Sequence, residues 1–176
     1  MTHRYPSGMR TIRPDLRLIW PAYTLFPLVG LGVLVVGIAG GDDVMIAIGI
    51  GLLAFNFATV LNYAYFTELG IEGDELVHRT LFGRQVQRLP VGSIQRIDAK
   101  RYAGGHAGVS APYFVARGRT ATLKVNAKPY RLEAFATLIA LLRAVNGRVE
   151  LDPFWSRVAA GEDVSKEVAL TPRSRW

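Results

Sequence analysis

Two long runs without a charged residue dominate the first third of the chain, at residues 18–39 and 44–66. Each is about 22 residues, or ~33 Å as a helix, enough to cross a hydrocarbon core of ~30 Å. Only Gly40-Gly41-Asp42-Asp43 separates them. A buried hairpin in a soluble protein rarely keeps two such runs this close together, so the pattern predicts a transmembrane hairpin over 18–66, preceded by an arm at 1–17. The first run exceeds the apolar region of a cleaved signal peptide, and a second span follows at once, so it reads as a retained helix. Pro14 suits the first position of that helix, and Asp15 suits its positive first turn. Pro21 and Pro27 fall inside it and predict a bend.

The second run has two distinct faces. At about 100° per residue, Ala47, Gly51, Ala54, Ala58 and Asn62 share one narrow stripe. Small side chains let another backbone approach closely, and an amide can hydrogen-bond across the contact, so this stripe is expected to pack on the first helix. Gly49, Asn56 and Tyr63 lie on the opposite face and form a candidate intermolecular surface. Asn56 then either meets a helix outside the hairpin, or bonds to its own backbone or a water defect.

From Thr67 onward the pattern changes to short runs broken by turns. Candidate strands are 69–72, 75–82, 84–91, 93–101, 113–117, 120–126 and 129–132. Alternation is cleanest at Ala121, Leu123 and Val125, with Thr122 and Lys124 facing the other way. Phe135, Leu138, Ile139, Leu142 and Val145 then recur at helical spacing, and Gly147 supplies a stop. The expected fold is a membrane helical hairpin plus an α+β domain over 67–147, a small β-barrel or sandwich with a C-terminal helix. In the tail, 148–176, Asp152-Pro153 and Gly161 bracket a short helix at 154–160.

Seven short strands and a C-terminal helix resemble a pleckstrin-homology-type barrel. The runs Glu75-Leu76-Val77-His78-Arg79-Thr80-Leu81-Phe82-Gly83 and Arg88-Leu89-Pro90-Val91-Gly92-Ser93-Ile94-Gln95-Arg96-Ile97 resemble the bacterial PH-like domain membrane protein family. Its members place such a domain after a transmembrane hairpin and include proteins linked to the assembly of membrane complexes, photosynthetic ones among them. The resemblance covers roughly residues 60–147 and carries no catalytic signature. It departs from lipid-binding PH domains at the first hairpin turn, Glu72-Gly73-Asp74-Glu75, where acidic groups replace the basic ones that hold phosphate.

Charge sets the orientation. Four arginines oppose Asp15 in residues 1–17, the connector has two aspartates and no base, and residues 67–150 hold 13 basic against 7 acidic side chains. Both termini are therefore expected in the cytoplasm and the hairpin in the inner membrane. The absence of cysteine excludes disulfides and thiolate chemistry. His3, His78 and His106 share no metal-ligand spacing, Gly104–Gly108 matches no phosphate-loop motif, and Ser93, Ser110 and Ser156 lack a His–Asp context. No catalytic, cofactor or metal site is expected. Arg84, Arg88, Arg96, Lys100 and Arg101 form a candidate basic surface for non-selective contact with anionic lipid. Nucleic acid is not expected, because no exposed aromatics interleave these bases.

These features favour a non-enzymatic accessory or assembly subunit of a larger membrane complex, for example a photosynthetic or respiratory one, with other integral membrane proteins as partners. The alternative is a membrane-anchored sensor that binds anionic lipid or a soluble ligand. The orientation has a direct test, because the chain lacks cysteine. A single cysteine at position 2 or 170 is expected to resist an impermeant thiol reagent in intact cells, and one at position 41 to react. The reverse pattern overturns the topology.

Overall fold

The computed structural model describes residues 10–100 and 112–164. A short strand, β1 (Arg10–Ile12), leads into two helices, α1 (Leu16–Gly40) and α2 (Asp43–Leu61). Their ends follow from capping chemistry. Asp15 is the N-cap of α1 and accepts the Arg17 N–H at 2.9 Å, so Pro14 lies outside the helix rather than at its first position. Gly41, at φ 65°, ends α1 in the left-handed region. Asp42 immediately caps α2, accepting the Val44 and Met45 N–H groups at 2.9 and 3.1 Å. The helical runs therefore extend inward until only Gly41 and Asp42 join them. Asp43–Phe66, 24 residues, is long and apolar enough to cross a membrane, and Thr24–Gly40 is a shorter apolar stretch.

One π-helical turn, Asn62–Phe66, follows α2, and the chain then becomes sheet. β2 (Glu68–Glu72), β3 (Glu75–Thr80) and β4 (Gln85–Pro90) form an antiparallel meander, with β1 added on the open edge of β2. A 3-10 turn at Val91–Ser93 leads to β5 (Ile94–Lys100), then β6 (Tyr113–Gly118) and β7 (Thr122–Asn126). The second sheet has the order β7-β6-β5-β8, where β8 (Glu150–Leu151) runs parallel to β5. Two helices complete the fold, α3 (Leu132–Val145) and α4 (Pro153–Ala159). The domain is thus α+β, with two four-stranded sheets and helices at the C-terminal end.

The expected strand at 129–132 does not form. Pro129 has no N–H for a ladder, its carbonyl takes the Asp15 N–H at 2.6 Å, and Tyr130 N–H closes a turn on Ala127. Leu132 then opens α3. In β7, Leu123 and Val125 point inward as the alternation requires, while Ala121 lies exposed before the strand. In α3 the buried face is Leu132, Phe135, Leu138, Ile139 and Leu142. Val145 is exposed and Asn146, rather than Gly147, ends the helix.

Segments outside 67–147 complete the core. Val149, Phe154, Trp155, Val158 and Val164 are buried in it, and Ile12 packs against it. Trp155 is central: its ring lies 5.0 Å from Phe135, 5.3 Å from Phe114 and 5.0 Å from Phe154. Asp152 sets its position by accepting the Trp155 N–H at 2.8 Å and the Ala99 N–H at 2.5 Å. Asn146 donates to the carbonyls of Val91 and Ile94, at 3.0 and 2.8 Å, and so fixes the turn between the sheets. Trp155→Ala is expected to cost about 3–5 kcal/mol of domain stability. Thermal unfolding followed by near-UV circular dichroism measures this, and a change below about 1 kcal/mol would show that the Trp155 ring is dispensable to the core.

Candidate functional site

The contact between the two helices is set by glycines. A Cβ placed on Gly49 would lie 2.7 Å from Leu34 Cβ and 2.8 Å from its backbone. One placed on Gly37 would lie 2.8 Å from the Ile46 nitrogen, and one on Gly30 would lie 3.2 Å from Leu52 Cβ. Gly51 has nothing within 4 Å. The face of α2 that meets α1 is therefore that of Gly49 and Asn56, both buried. Ala47, Gly51 and Ala54 are exposed, and Ala58 is half-buried. This inverts the expected assignment of the two faces. The wheel of α2 alone shows small residues on both sides and cannot rank them. The close approaches of Gly30, Leu34 and Gly37 across the pair decide between them. Continuing the antiparallel register from Gly49 opposite Leu34 sets Asn56 level with Pro27.

Asn62 has a different role from packing helix on helix. Its Oδ1 accepts the Phe82 N–H at 2.7 Å, and its carbonyl accepts the Thr67 hydroxyl at 3.1 Å. It therefore ties the end of α2 to the β3–β4 turn. In that turn Leu81, Phe82 and Gly83 all have positive φ, 51°, 57° and 76°, and Arg84 N–H closes it on the Leu81 carbonyl at 3.1 Å. The Phe82 ring lies 5.3 Å from that of Phe66. Tyr63 is half-buried on the side of the domain. The buried Tyr130 hydroxyl is pushed up in pKa by desolvation, and secondarily by Tyr63 and Glu68. The start of α1 is anchored as well: Arg131 donates to Asp15 at 2.6 Å.

Two members of the proposed basic surface, Arg88 and Arg96, are paired with carboxylates of the domain. On the outer face of β2–β4, Glu68 and Glu72 both accept from Arg79. Arg88 pairs with Glu75 at 2.8 Å and reaches Glu72 at 3.9 Å, while Arg13 reaches Glu68 at 3.6 Å. The Arg79 guanidinium holds the Glu72 carboxyl below its ordinary value despite partial burial. Arg96 and Arg117 both bond Asp98. Arg84 and Lys100 stay exposed with no ion pair among the described residues. Arg101, Gly104–Gly108, His3, His106 and Ser110 lie outside the described residues.

In the first sheet, His78 stands opposite Gln87 in the β3–β4 register, and desolvation lowers its pKa. The imidazole is therefore neutral near pH 7, and its Nδ1 is buried without a partner among the described residues. No three His, Asp or Glu side chains gather among the described residues as a metal ion would require.

Compared with known proteins, the chain matches no family model, no curated protein and no solved structure.

The helix contact is testable by a matched pair of substitutions. Gly49→Leu is expected to separate α1 from α2, because its Cβ alone falls within 3 Å of the Leu34 backbone. Gly51→Leu has open space and is expected to leave the pair intact. Disulfide trapping between cysteines at Gly30 and Leu52, where a Cβ on Gly30 lies 3.2 Å from that of Leu52, with and without each change, reports the difference. Equal trapping in Gly49→Leu would refute the assigned face.

Proposed function

We propose that the chain is a non-enzymatic accessory or assembly subunit of a larger membrane complex. It is held in the inner membrane by a hairpin of α1 and α2, with both termini in the cytoplasm. α1, at 25 residues, has a helical length of about 37 Å, which supports reading it as a second span beside α2. The meander order of the first sheet, the second sheet formed by β5–β7, and the helix that closes the core support a PH-like reading of the domain.

The observation that carries the proposal is the open face of α2. With α1 packed on Gly49 and Asn56, the small residues Ala47, Gly51 and Ala54 remain uncovered. Phe55 and Phe57 beside them are 72% and 66% exposed. Small side chains flanked by large apolar ones make a groove in which another helix packs closely, where the gain comes from van der Waals contact rather than water release. Integral membrane proteins are thus the favoured partners. Arg88 and Arg96 are paired with carboxylates of the domain, which reduces the charge available to anionic lipid and makes a lipid-sensing role the weaker reading.

Purification of the tagged chain in mild detergent, followed by mass spectrometry, is expected to recover a stoichiometric integral membrane protein. Gly51→Leu, which leaves the helix pair intact, is expected to lose most of that partner. Recovery of the wild-type chain alone, or unchanged recovery with Gly51→Leu, would overturn the proposal.

A further inference from the structure

We propose that the β3–β4 turn seats Leu81 and Phe82 in the interfacial layer of the lipid bilayer, beside the cytoplasmic end of α2, with Arg84 among the headgroup phosphates. This rests on the reading of Asp43–Phe66 as a membrane span.

Depth comes first. Asn62 lies in the last turn of that span and bonds the Phe82 backbone at 2.7 Å. The turn is thus held at the level where the helix leaves the hydrocarbon, whatever the tilt of the domain. The chemistry of the turn suits that level. Leu81 is 56% and Phe82 45% exposed, and Tyr65 and Phe66 beside them are exposed as well. The apolar shell of α2 therefore continues onto the domain without a polar break. Aromatic and amphipathic side chains concentrate at this layer, where a ring finds acyl chains and a polar tip finds water. Arg84 is the free cation of the tip and has the reach to meet phosphate while its stem stays apolar. Arg79, on the preceding strand, is held by Glu68 and Glu72 and does not oppose insertion.

Backbone satisfaction and conformation point the same way. Polar backbone groups leave water only if they are paired. Asn62 takes the Phe82 N–H, and the Leu81 carbonyl takes the Arg84 N–H. Leu81 and Phe82 occupy left-handed backbone, where Asn or Gly is the unstrained choice. Two bulky apolar residues in strained positions on an exposed tip have no core to fill.

Because the chain lacks cysteine, single labels test the proposal in the full protein. Leu81→Cys, Phe55→Cys and Thr122→Cys are each coupled to an environment-sensitive fluorophore. The proteins are then reconstituted into phosphatidylcholine–phosphatidylglycerol vesicles carrying a nitroxide near the top of the acyl chain or, in parallel samples, near its end, the deep probe serving position 55. The label at 81 is expected to emit blue-shifted light, to be quenched several-fold more than at 122 and to resist aqueous iodide. Phe82→Cys provides the same readout if Leu81→Cys misfolds. If 55 is quenched by lipid but 81 and 82 behave as 122 does, the inference falls while the span stands, and the tip is left for a protein partner. If 55 itself escapes lipid quenching, the span reading fails and the inference falls with it.

Discussion

The hydrogen bond from the Phe82 N–H to the Asn62 side chain joins the two halves of this protein. An isolated bond of this kind contributes only about 0.5–1.5 kcal/mol, yet a buried N–H left without a partner costs about 1–3 kcal/mol. The asymmetry makes the junction specific. The π-helical turn after α2 widens the backbone at the residue that must face the domain, and the Thr67 hydroxyl returns to the Asn62 carbonyl to end the turn. Such widened turns often mark functional positions. The strained turn that Asn62 holds, with Leu81 and Phe82 in left-handed backbone, costs about 1–2 kcal/mol per residue. It persists because the sheet register and the helix end both constrain it. A second tie, through Asp15 to Pro129 and Arg131, holds the other helix.

Electrostatics in the domain is organised across strands rather than outward. Glu68, Arg79, Glu72, Arg88 and Glu75 alternate on one face of the first sheet, and each arginine serves two carboxylates. A single exposed pair contributes about 0–1 kcal/mol, but a network of fixed geometry lowers the entropy cost of each further bond. The acidic turn at Glu72–Glu75 is therefore a partner for basic side chains of its own sheet. The net charge of +7 thus overstates the positive surface this face presents.

The hydrophobic runs, the strand alternation and the capping residues were legible because each is a local property. Leu123 and Val125 turn inward, Asp152 and Pro153 start α4, and Phe135 to Leu142 form the buried face of α3, all from spacing alone. β1 and β8 were not legible. Three and two residues are too short to show a period, and each exists only because a neighbouring strand offers an open edge. The strand expected at 129–132 failed for the converse reason: a β-like composition has no ladder to join once Pro129 removes a donor.

By itself, then, the sequence determined where apolar helices lie, where they stop, and that an α+β domain follows, since hydrophobic period and capping act within a few residues. Only the tertiary structure decided which face of α2 receives α1. Both faces of α2 offer small residues, Ala47–Gly51–Ala54 on one and Gly49 on the other, and the choice rests on the contacts that Gly30, Leu34 and Gly37 make across the pair. It also decided that Asn62 reaches 20 residues ahead to Phe82, and that Arg88, read as part of a free basic surface, is taken by Glu75 on the adjacent strand. Each of these is a contact between segments far apart in the chain, so no local pattern encodes it.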